Sequence, residues 1–307
     1  MKASFLQNRI AACALALLCT LLWGTAFPFI KLGYKEFAVA NGDTGTMLLF
    51  AGLRFTLAGL ITLGVFFARQ RRFEAPRKNE WKYIFALGSV QTFGQYLFTY
   101  IGIGYTTGAN TSIITACASF FTVLAAPLFF KSDRLTVIKI LGCAVGFGGV
   151  LAMNGGFGFD LETLFGDVMI LFSTVFAAGG NLIAKQSSKS VDPVKLTAYQ
   201  LLFGGLALTA VGLISGGRLD LLNIKGLLIL LWLAVVSAAA FSIWTALLKH
   251  HPAGNISVFN LLVPVFGTAL SGLLLGESVL NLQTLLALAL ISAGIVLVNV
   301  KWRANYD

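Results

Sequence analysis

Charged side chains are scarce in this sequence: they make up 11% of 307 residues, and only 12 residues are acidic. Apolar residues make up 57% of the chain, and the mean hydropathy is +0.85. Soluble domains carry about 25% charged residues. The shortage of charge therefore excludes an ordinary soluble protein and predicts an all-α integral membrane protein.

Groups that perform chemistry are also rare. The four cysteines lie inside apolar segments without the spacing of zinc ligands, and the two histidines, His250 and His251, are adjacent. The acids fall in loops, whereas a membrane-embedded enzyme needs clustered acids, a metal site or an activated nucleophile. We therefore expect a protein that is not an enzyme and that holds neither a metal nor a cofactor.

Long apolar runs take the place of the missing charge. Each is about 20 residues long, which is near the length that a helix needs to cross about 30 Å of hydrocarbon. The first run continues past Trp23 without a convincing cleavage site, so it reads as a retained helix rather than a signal peptide. The ten predicted spans lie near residues 10–31, 46–68, 82–104, 109–130, 136–153, 165–184, 195–215, 226–248, 254–275 and 282–300.

The basic residues predict the orientation. With a cytoplasmic N-terminus, 17 lysines and arginines fall in cytoplasmic segments and 4 on the opposite side. This bias predicts that both termini are cytoplasmic and that the chain crosses the cell (plasma) membrane, the inner membrane of a bacterium, many times. The net charge of +10 then reflects topology, and no soluble domain is left to bind nucleic acid.

The two halves of the chain resemble each other. Nearby offsets align "WGTAFPFIK" (23–31) with "AAGGNLIAK" (177–185), and "LRFTLAGL" (53–60) with "YQLLFGGL" (199–206). The repeat therefore covers helices 1–5, in residues 1–155, and helices 6–10, in residues 156–307. At an offset of 145 residues the identical pairs include Asn110 and Asn255, Ser112 and Ser257, Leu135 and Leu280, Gly149 and Gly294, and Asn154 and Asn299.

An odd number of helices in each half means that the second copy crosses the membrane in the opposite sense. The loop "KSDR" (131–134) is basic, whereas its counterpart "GESV" (276–279) is acidic and falls on the other side. Two inverted five-helix repeats are the architecture of many secondary transporters, in which alternating access opens a central site to either side.

The segments "LLWGTAFPFIK" (21–31), "LRFTLAG" (53–59) and "VPVFGTALSGLLLGESVLNLQTLLALALISAGIVLVN" (263–299) resemble the EamA-type permeases of the drug/metabolite transporter superfamily. The resemblance covers nearly the whole chain. It implies ten transmembrane helices and a central cavity lined mostly by helices 1, 3, 4, 6, 8 and 9. It also implies export or uptake of small organic solutes such as amino acids, nucleosides or cationic dyes. The chain departs from the pattern at residues 131–134, where the family often has a Gly-Glu pair.

Small polar residues mark one face of the fourth span. Ser112, Thr115 and Ser119 recur at spacings of three and four, and the repeat places Asn260 and Pro264 on the same face of the ninth span. Such a stripe either lets helices pack closely or lines the cavity, where small polar groups leave room and form hydrogen bonds.

Longer polar side chains lie in the third span. Gln91, Gln95 and Thr99 share a face, and Tyr96 flanks it. An unsatisfied amide in hydrocarbon is costly, so we expect these groups to face protein or the transport pathway.

Further candidates are aromatic residues and one amide. Trp23, Asn181 and Trp244 are predicted to line the cavity, although tryptophans in membrane proteins also pack or lie at interfaces. Pro28 removes a backbone hydrogen bond from the first span and is a candidate hinge.

Arg54 is the one charge well inside a predicted span, so it needs a partner or water. It either pairs with a substrate carboxylate or bonds neutral groups as part of the structure, and the repeat places Gln200 at its counterpart. No acid lies deep in a span, which predicts facilitated or weakly coupled transport, with Glu277 as the candidate for coupling.

Secondary transport of a small-molecule substrate, by a monomer or homodimer in the lipid bilayer, is therefore the predicted function. A channel or a lipid-moving protein is the alternative, since a polar groove would serve either, although neither a ring of charge nor a carbonyl filter is visible. A membrane-embedded enzyme is less favoured, because the clustered groups that catalysis needs are missing.

Overall fold

The computed structural model describes residues 3–300 except 41, 72–73, 104, 107, 132, 154–162 and 276–281. Every regular element in these ranges is helical, as the composition predicts. The helices are α1 (Ala3–Gln7), α2 (Arg9–Glu36), α3 (Thr44–Gln70), α4 (Trp81–Leu87), α5 (Gln95–Ile103), α6 (Gly108–Phe129), α7 (Val137–Met153), α8 (Leu164–Ser187), α9 (Pro193–Ile214), α10 (Ile224–His250), α11 (Ala253–Ser257), α12 (Val263–Leu275) and α13 (Leu282–Val300).

Two of the predicted spans contain irregular helix. A π-helical segment, Gly88–Gly94, joins α4 to α5, and a 3₁₀ segment, Val258–Leu262, joins α11 to α12. Over the described residues, five helices are long and apolar enough to cross a membrane, namely α2, α3, α8, α9 and α10. The chain is a multi-pass membrane protein, while the count of ten spans and their inverted order stay predictions.

Side chains at the helix starts explain where several helices begin. Asn8, Asp43 and Asn223 accept hydrogen bonds from the backbone N–H three residues on, at the N-termini of α2, α3 and α10. Asp192 caps α9 in the same way, and Pro193 follows it at the first helical position. A cap satisfies a donor that the helix leaves unpaired, and proline at that position lacks the donor altogether.

Glycine lets α3 and α9 approach each other closely. A Cβ atom placed on Gly59 would lie 2.6 Å from the Leu202 nitrogen, and one on Gly205 would lie 2.4 Å from the Thr56 nitrogen. The offset of 146 residues between "LRFTLAGL" and "YQLLFGGL" relates Gly59 to Gly205 and Thr56 to Leu202. The two contacts are therefore the same contact made once from each repeat.

The other helix pairs follow the same correspondence. Helices α7 and α13, which are equivalent in the repeat, meet where a Cβ on Gly142 would lie 2.8 Å from the Gly294 oxygen. Helix α2 packs on α10 and α12, and its counterpart α8 packs on α5 and α6. Each of these contacts joins one half to the other and has an equivalent with the halves exchanged. The residues between the halves form the candidate site.

Candidate functional site

A chain of hydrogen bonds joins three buried side chains from α6, α8 and α10. The Trp244 Nε1–H donates to Asn181 Oδ1 at 3.0 Å, and the Asn181 Nδ2–H donates to Thr122 Oγ1 at 3.4 Å. Trp23 of α2 packs edge-on against Trp244, with 5.0 Å between the ring centroids. Its own indole nitrogen is buried without a hydrogen-bond partner. The structure therefore brings together the predicted candidates Trp23, Asn181 and Trp244.

Gln91 lies in the π-helical segment rather than in regular α-helix. Its side chain packs on α8, where a Cβ on Gly180 would lie 2.7 Å from the Gln91 Cβ. The amide oxygen of Gln91 is buried without a hydrogen-bond partner. Such an acceptor costs about 1–3 kcal/mol, and π-helical turns are frequent at functional sites. Gln91 is therefore a candidate acceptor for a substrate donor.

The remaining candidates of the third span lie on α5. The Thr99 hydroxyl donates to the Gln95 carbonyl at 2.8 Å and lies 2.7 Å from the Ser173 hydroxyl of α8. The Tyr96 ring packs on Phe55 of α3, with 4.3 Å between centroids. Thr99 thus contacts the second repeat, whereas Tyr96 contacts a helix of its own repeat.

The small-residue stripe of α6 is buried at one end and exposed at the other. Ser119 is 2% exposed and donates to the Ser257 carbonyl at 2.8 Å, so this end of the stripe packs against α11. Thr115, one turn earlier, is exposed. The side chain of Ser112 lies outside the described ones. Helix packing therefore explains the small side chain at Ser119, whereas Thr115 remains at the surface and can contact a solute.

The counterpart positions of the ninth span lie at its irregular turn. Asn260 is in the 3₁₀ segment, and its amide oxygen is buried without a partner. Pro264 is buried in the first turn of α12, where its missing N–H is not needed. Helix α2 runs without interruption through Pro28, the candidate hinge, whose missing N–H leaves the Gly24 carbonyl without its usual donor.

Arg54 is 2% exposed and bonds a neutral group. Its Nε–H donates to the Ser237 hydroxyl of α10 at 2.9 Å, and its guanidinium carbon lies 5.0 Å from the Phe55 ring centroid. At the equivalent place with the halves exchanged, the Thr92 hydroxyl donates to Gln200 Oε1 at 2.6 Å. Offsets of 146 and 145 residues relate Arg54 to Gln200 and Thr92 to Ser237, so the two hydrogen bonds are equivalent.

Sequence reasoning missed a buried ion pair. Lys185 Nζ lies 2.6 Å from Asp133 Oδ2 and also donates to the His251 carbonyl at 3.0 Å. Asp133 accepts hydrogen bonds from the N–H groups of Ala253 and Gly254, at 3.2 and 3.3 Å, where α11 begins. Asp133 belongs to "KSDR", the segment in which the chain departs from the family pattern. That departure is the feature of the sequence that could have indicated the ion pair.

His251 extends this buried cluster towards the N-terminus. Its Nε2 lies 2.7 Å from the Leu6 carbonyl of α1, and since a carbonyl only accepts, Nε2 carries the hydrogen. Burial lowers the pKa of His251 from its ordinary value of 6.5, the hydrogen bond to the Leu6 carbonyl opposes this, and the charges of His250, Lys185 and Arg9 lower the pKa further. The imidazole is therefore held neutral.

A second ion cluster ties the segment before α4 to α9. Lys195 Nζ lies 3.0 Å from Glu74 Oε1 and 2.9 Å from Glu80 Oε2. Within the described residues, no group of three or more histidines, cysteines and acids could hold a metal ion. The coupling candidate Glu277 lies outside those residues.

A family model described as "EamA-like transporter family" matches residues 10–155 and 164–300. The chain belongs to this family. The resemblance carried by the sequence motifs is thereby confirmed, and each half of the chain contains one EamA-like repeat. A family of this description indicates a membrane transporter rather than an enzyme.

Relatives of this EamA-like chain carry transporter names. It is 28% identical, over 92% of each chain, to a "Probable amino-acid metabolite efflux pump" of Salmonella typhimurium. It is 27% identical to a protein of the same name from Escherichia coli, over 94% of this chain and 95% of that one. An "Uncharacterized transporter" of Archaeoglobus fulgidus is 27% identical over 81% of this chain and 84% of its own length.

A solved crystal structure shares the fold of the EamA-like chain. The TM-score is 0.79 at 20% sequence identity, and the match covers 98% of this chain and 100% of the other. At this identity the likeness concerns the fold alone. The helix arrangement described above is therefore one that another protein adopts over its whole length.

Proposed function

We propose that this EamA-like transporter moves small organic metabolites such as amino acids by alternating access between two inverted repeats, residues 1–155 and 156–307. The observation that carries the proposal is a set of polar contacts that cross from one half to the other. Thr122 meets Asn181, Thr99 meets Ser173, and Ser119 meets the Ser257 carbonyl. Polar groups that line such a boundary offer hydrogen bonds to a solute when the halves move apart.

Pairwise packing supports the inverted arrangement. The reciprocal contacts of Gly59 with Leu202 and of Gly205 with Thr56 relate α3 and α9 by an approximate two-fold axis. If such an axis lies in the membrane plane, a conformational change in one half has its equivalent in the other. Exchange of the two conformations then opens the same site first to one side and then to the other.

The substrate class follows from the site and from the relatives. Buried amide oxygens of Gln91 and Asn260 and the buried indole N–H of Trp23 have no protein partner, so both acceptors and a donor face the interior. Two relatives are named as probable amino-acid metabolite efflux pumps. We infer that the solute is small, carries both donors and acceptors, and leaves the cytoplasm across the plasma membrane, with both termini of the transporter on the cytoplasmic side.

Counterflow in proteoliposomes tests this function. Vesicles that contain purified protein and a high internal concentration of one unlabelled amino acid are expected to accumulate the labelled compound transiently and with saturation. No acid lies deep in a predicted span, so facilitated transport predicts that a proton ionophore leaves the counterflow rate unchanged. Single-channel currents in planar bilayers would favour the channel, and covalent change of a solute in detergent would favour an enzyme; either would contradict the proposal.

A further inference from the structure

Arg54 carries a charge that its structural role does not require. Its hydrogen bond to Ser237 crosses between the halves and has an equivalent with the halves exchanged, in which Thr92 of the first half bonds Gln200 of the second. The neutral amide of Gln200 fills that position while it is fully buried. A neutral residue therefore suffices to join these helices, and the positive charge in one half needs a separate explanation.

The charge lies deep in the membrane. Arg54 is ten residues from the start of α3, which is about 15 Å along the helix axis, near the middle of a bilayer core of about 30 Å. Even on the more lenient insertion scale, an arginine at that depth costs roughly 2.5–3.5 kcal/mol. Natural sequences retain such residues when they pair with an opposite charge or serve function.

No opposite charge comes from the described part of the chain. Within those residues, acids pair with Lys185 and Lys195, and none pairs with Arg54. Its surroundings are the Ser237 hydroxyl, the Phe55 ring, and tyrosines close enough to feel its charge, Tyr34, Tyr96 and Tyr100. The described residues thus surround a permanent cation with neutral groups.

A second donor lies beside the guanidinium. The hydroxyl of Tyr100 is buried beside the Arg54 guanidinium and the Tyr34 hydroxyl. The hydrogen bond to Ser237 uses only the Nε of Arg54, and Tyr100 is the other polar group beside the guanidinium. The Nη groups therefore face no acid of the described residues and can bind the two oxygens of a carboxylate. Phe55 and Tyr96 stack next to this point, with 4.3 Å between centroids, and Phe241 lies 6.2 Å from Phe55. Cationic and hydroxyl donors therefore adjoin an aromatic wall.

We propose that Arg54 is the binding residue for a carboxylate of the transported solute, with the Tyr100 hydroxyl as a second donor and the aromatic rings in contact with an apolar part of the solute. This inference rests on the proposed transport function and narrows its substrate class to carboxylic acids. Arg54 is 2% exposed, so the site is closed in this structure and needs the helices around it to separate.

Matched pairs of acids and amides test the inference on the unaltered protein. Leucine with leucinamide, phenylalanine with phenylalaninamide, and 3-phenylpropionate with its amide differ in the carboxylate alone. Thermal unfolding of the detergent-solubilised protein is expected to shift upwards with at least one acid and not with its amide. A shift with amides alone, equal shifts for acid and amide, or no shift with any of the six compounds would overturn the proposal.

Variants of Arg54 then test whether this residue causes the preference for the acid over its amide. Arg54→Gln copies Gln200 and is expected to fold and to lose at least tenfold in affinity for the acid, while Arg54→Lys keeps part of the preference. The matched control is Thr92→Val, which breaks the equivalent hydrogen bond to Gln200 and is expected to lower stability without changing the preference for the acid. Full acid preference in Arg54→Gln would contradict the inference. If that variant does not fold, the comparison of acids with amides on the natural sequence still tests whether the protein binds a carboxylate.

Counterflow distinguishes failure of the proposed transport function from failure of the role assigned to Arg54. Binding of an acid without counterflow of any solute would count against the transport function and leave Arg54 as a carboxylate site. Counterflow that is equally fast for acid and amide, and unchanged in Arg54→Gln, would keep the transporter and remove the role of Arg54.

Discussion

Lys185 and Asp133 form a buried ion pair, with 2.6 Å between Nζ and Oδ2, although they are far apart in the sequence. The pair joins the end of α8 to the turn after α6. Asp133 also caps α11, and Lys185 holds the His251 carbonyl at the end of α10. One pair of charges therefore connects four segments at the end of the bundle where the basic loops predict the cytoplasm.

Loss of Lys185 is expected to be severe. Lys185→Met leaves the Asp133 carboxylate, whose side chain is 1% exposed, without its counter-charge, and breaking a buried pair costs about 3–5 kcal/mol. The free energy of unfolding in mixed micelles measures this loss, and Lys189→Met on the exposed side of the same segment is the control. Adding Asp133→Asn should restore part of the stability. Equal stability of Lys185→Met and the natural sequence would show that the pair contributes nothing.

Two glycines of α3 are predicted to respond in opposite ways. In Gly59→Ala the new Cβ would lie 2.6 Å from the Leu202 nitrogen, so α3 and α9 must separate, whereas a methyl group on Gly64 would have no neighbouring atom within 4 Å. Alanine also favours helix over glycine by about 1 kcal/mol. Gly59→Ala should therefore lower the midpoint of thermal unfolding, and Gly64→Ala should keep or raise it. The reverse order would contradict the packing of α3 on α9.

The indole N–H of Trp244 is expected to matter for transport. Trp244→Phe keeps the ring that packs on Trp23 but leaves Asn181 Oδ1 without its donor. A buried acceptor left without its donor costs about 1–3 kcal/mol, so we expect an apparent solute affinity about tenfold lower in counterflow. Trp232→Phe is the control, since Trp232 is 40% exposed on the same helix. Equal kinetics of both variants would remove the bond from the transport site.

Acid is expected to weaken the fold through His251. Burial lowers the pKa of this imidazole from 6.5, so the unfolded chain binds the proton more readily than the folded one. Stability is then fully present above pH 6.5 and falls as the pH drops from there towards the folded-state pKa. His251→Gln should flatten this dependence in thermal unfolding between neutral and mildly acidic buffer, and His250→Gln should leave most of it. An unchanged slope in His251→Gln would exclude the imidazole as the cause.

The sequence identified most of the helices because their signals are local. The length of an apolar run is read within one segment, so it marks a membrane-spanning helix without knowledge of its neighbours. Two irregular turns were not expected. No local sequence motif marks the π segment that contains Gln91 or the 3₁₀ segment that contains Asn260.

The sequence predicted which residues belong to the candidate site, and the structure shows which of them touch. Trp23, Asn181 and Trp244 were expected near the cavity, and the structure brings them into contact; Ser119 packs against α11, and Thr115 is exposed. Whether these residues bind substrate stays a prediction.

The sequence by itself determined the membrane environment, the helical class and the twofold repeat, because hydropathy and an offset of 145 residues are properties of the linear chain. Only the tertiary structure decided which polar groups meet. Asp133 lies 52 residues from Lys185, and Arg54 lies 183 residues from Ser237. A buried charge is stabilised by whatever packing places beside it, and that partner depends on helix rotation and close approach at glycines such as Gly59 and Gly205, which hydropathy does not encode.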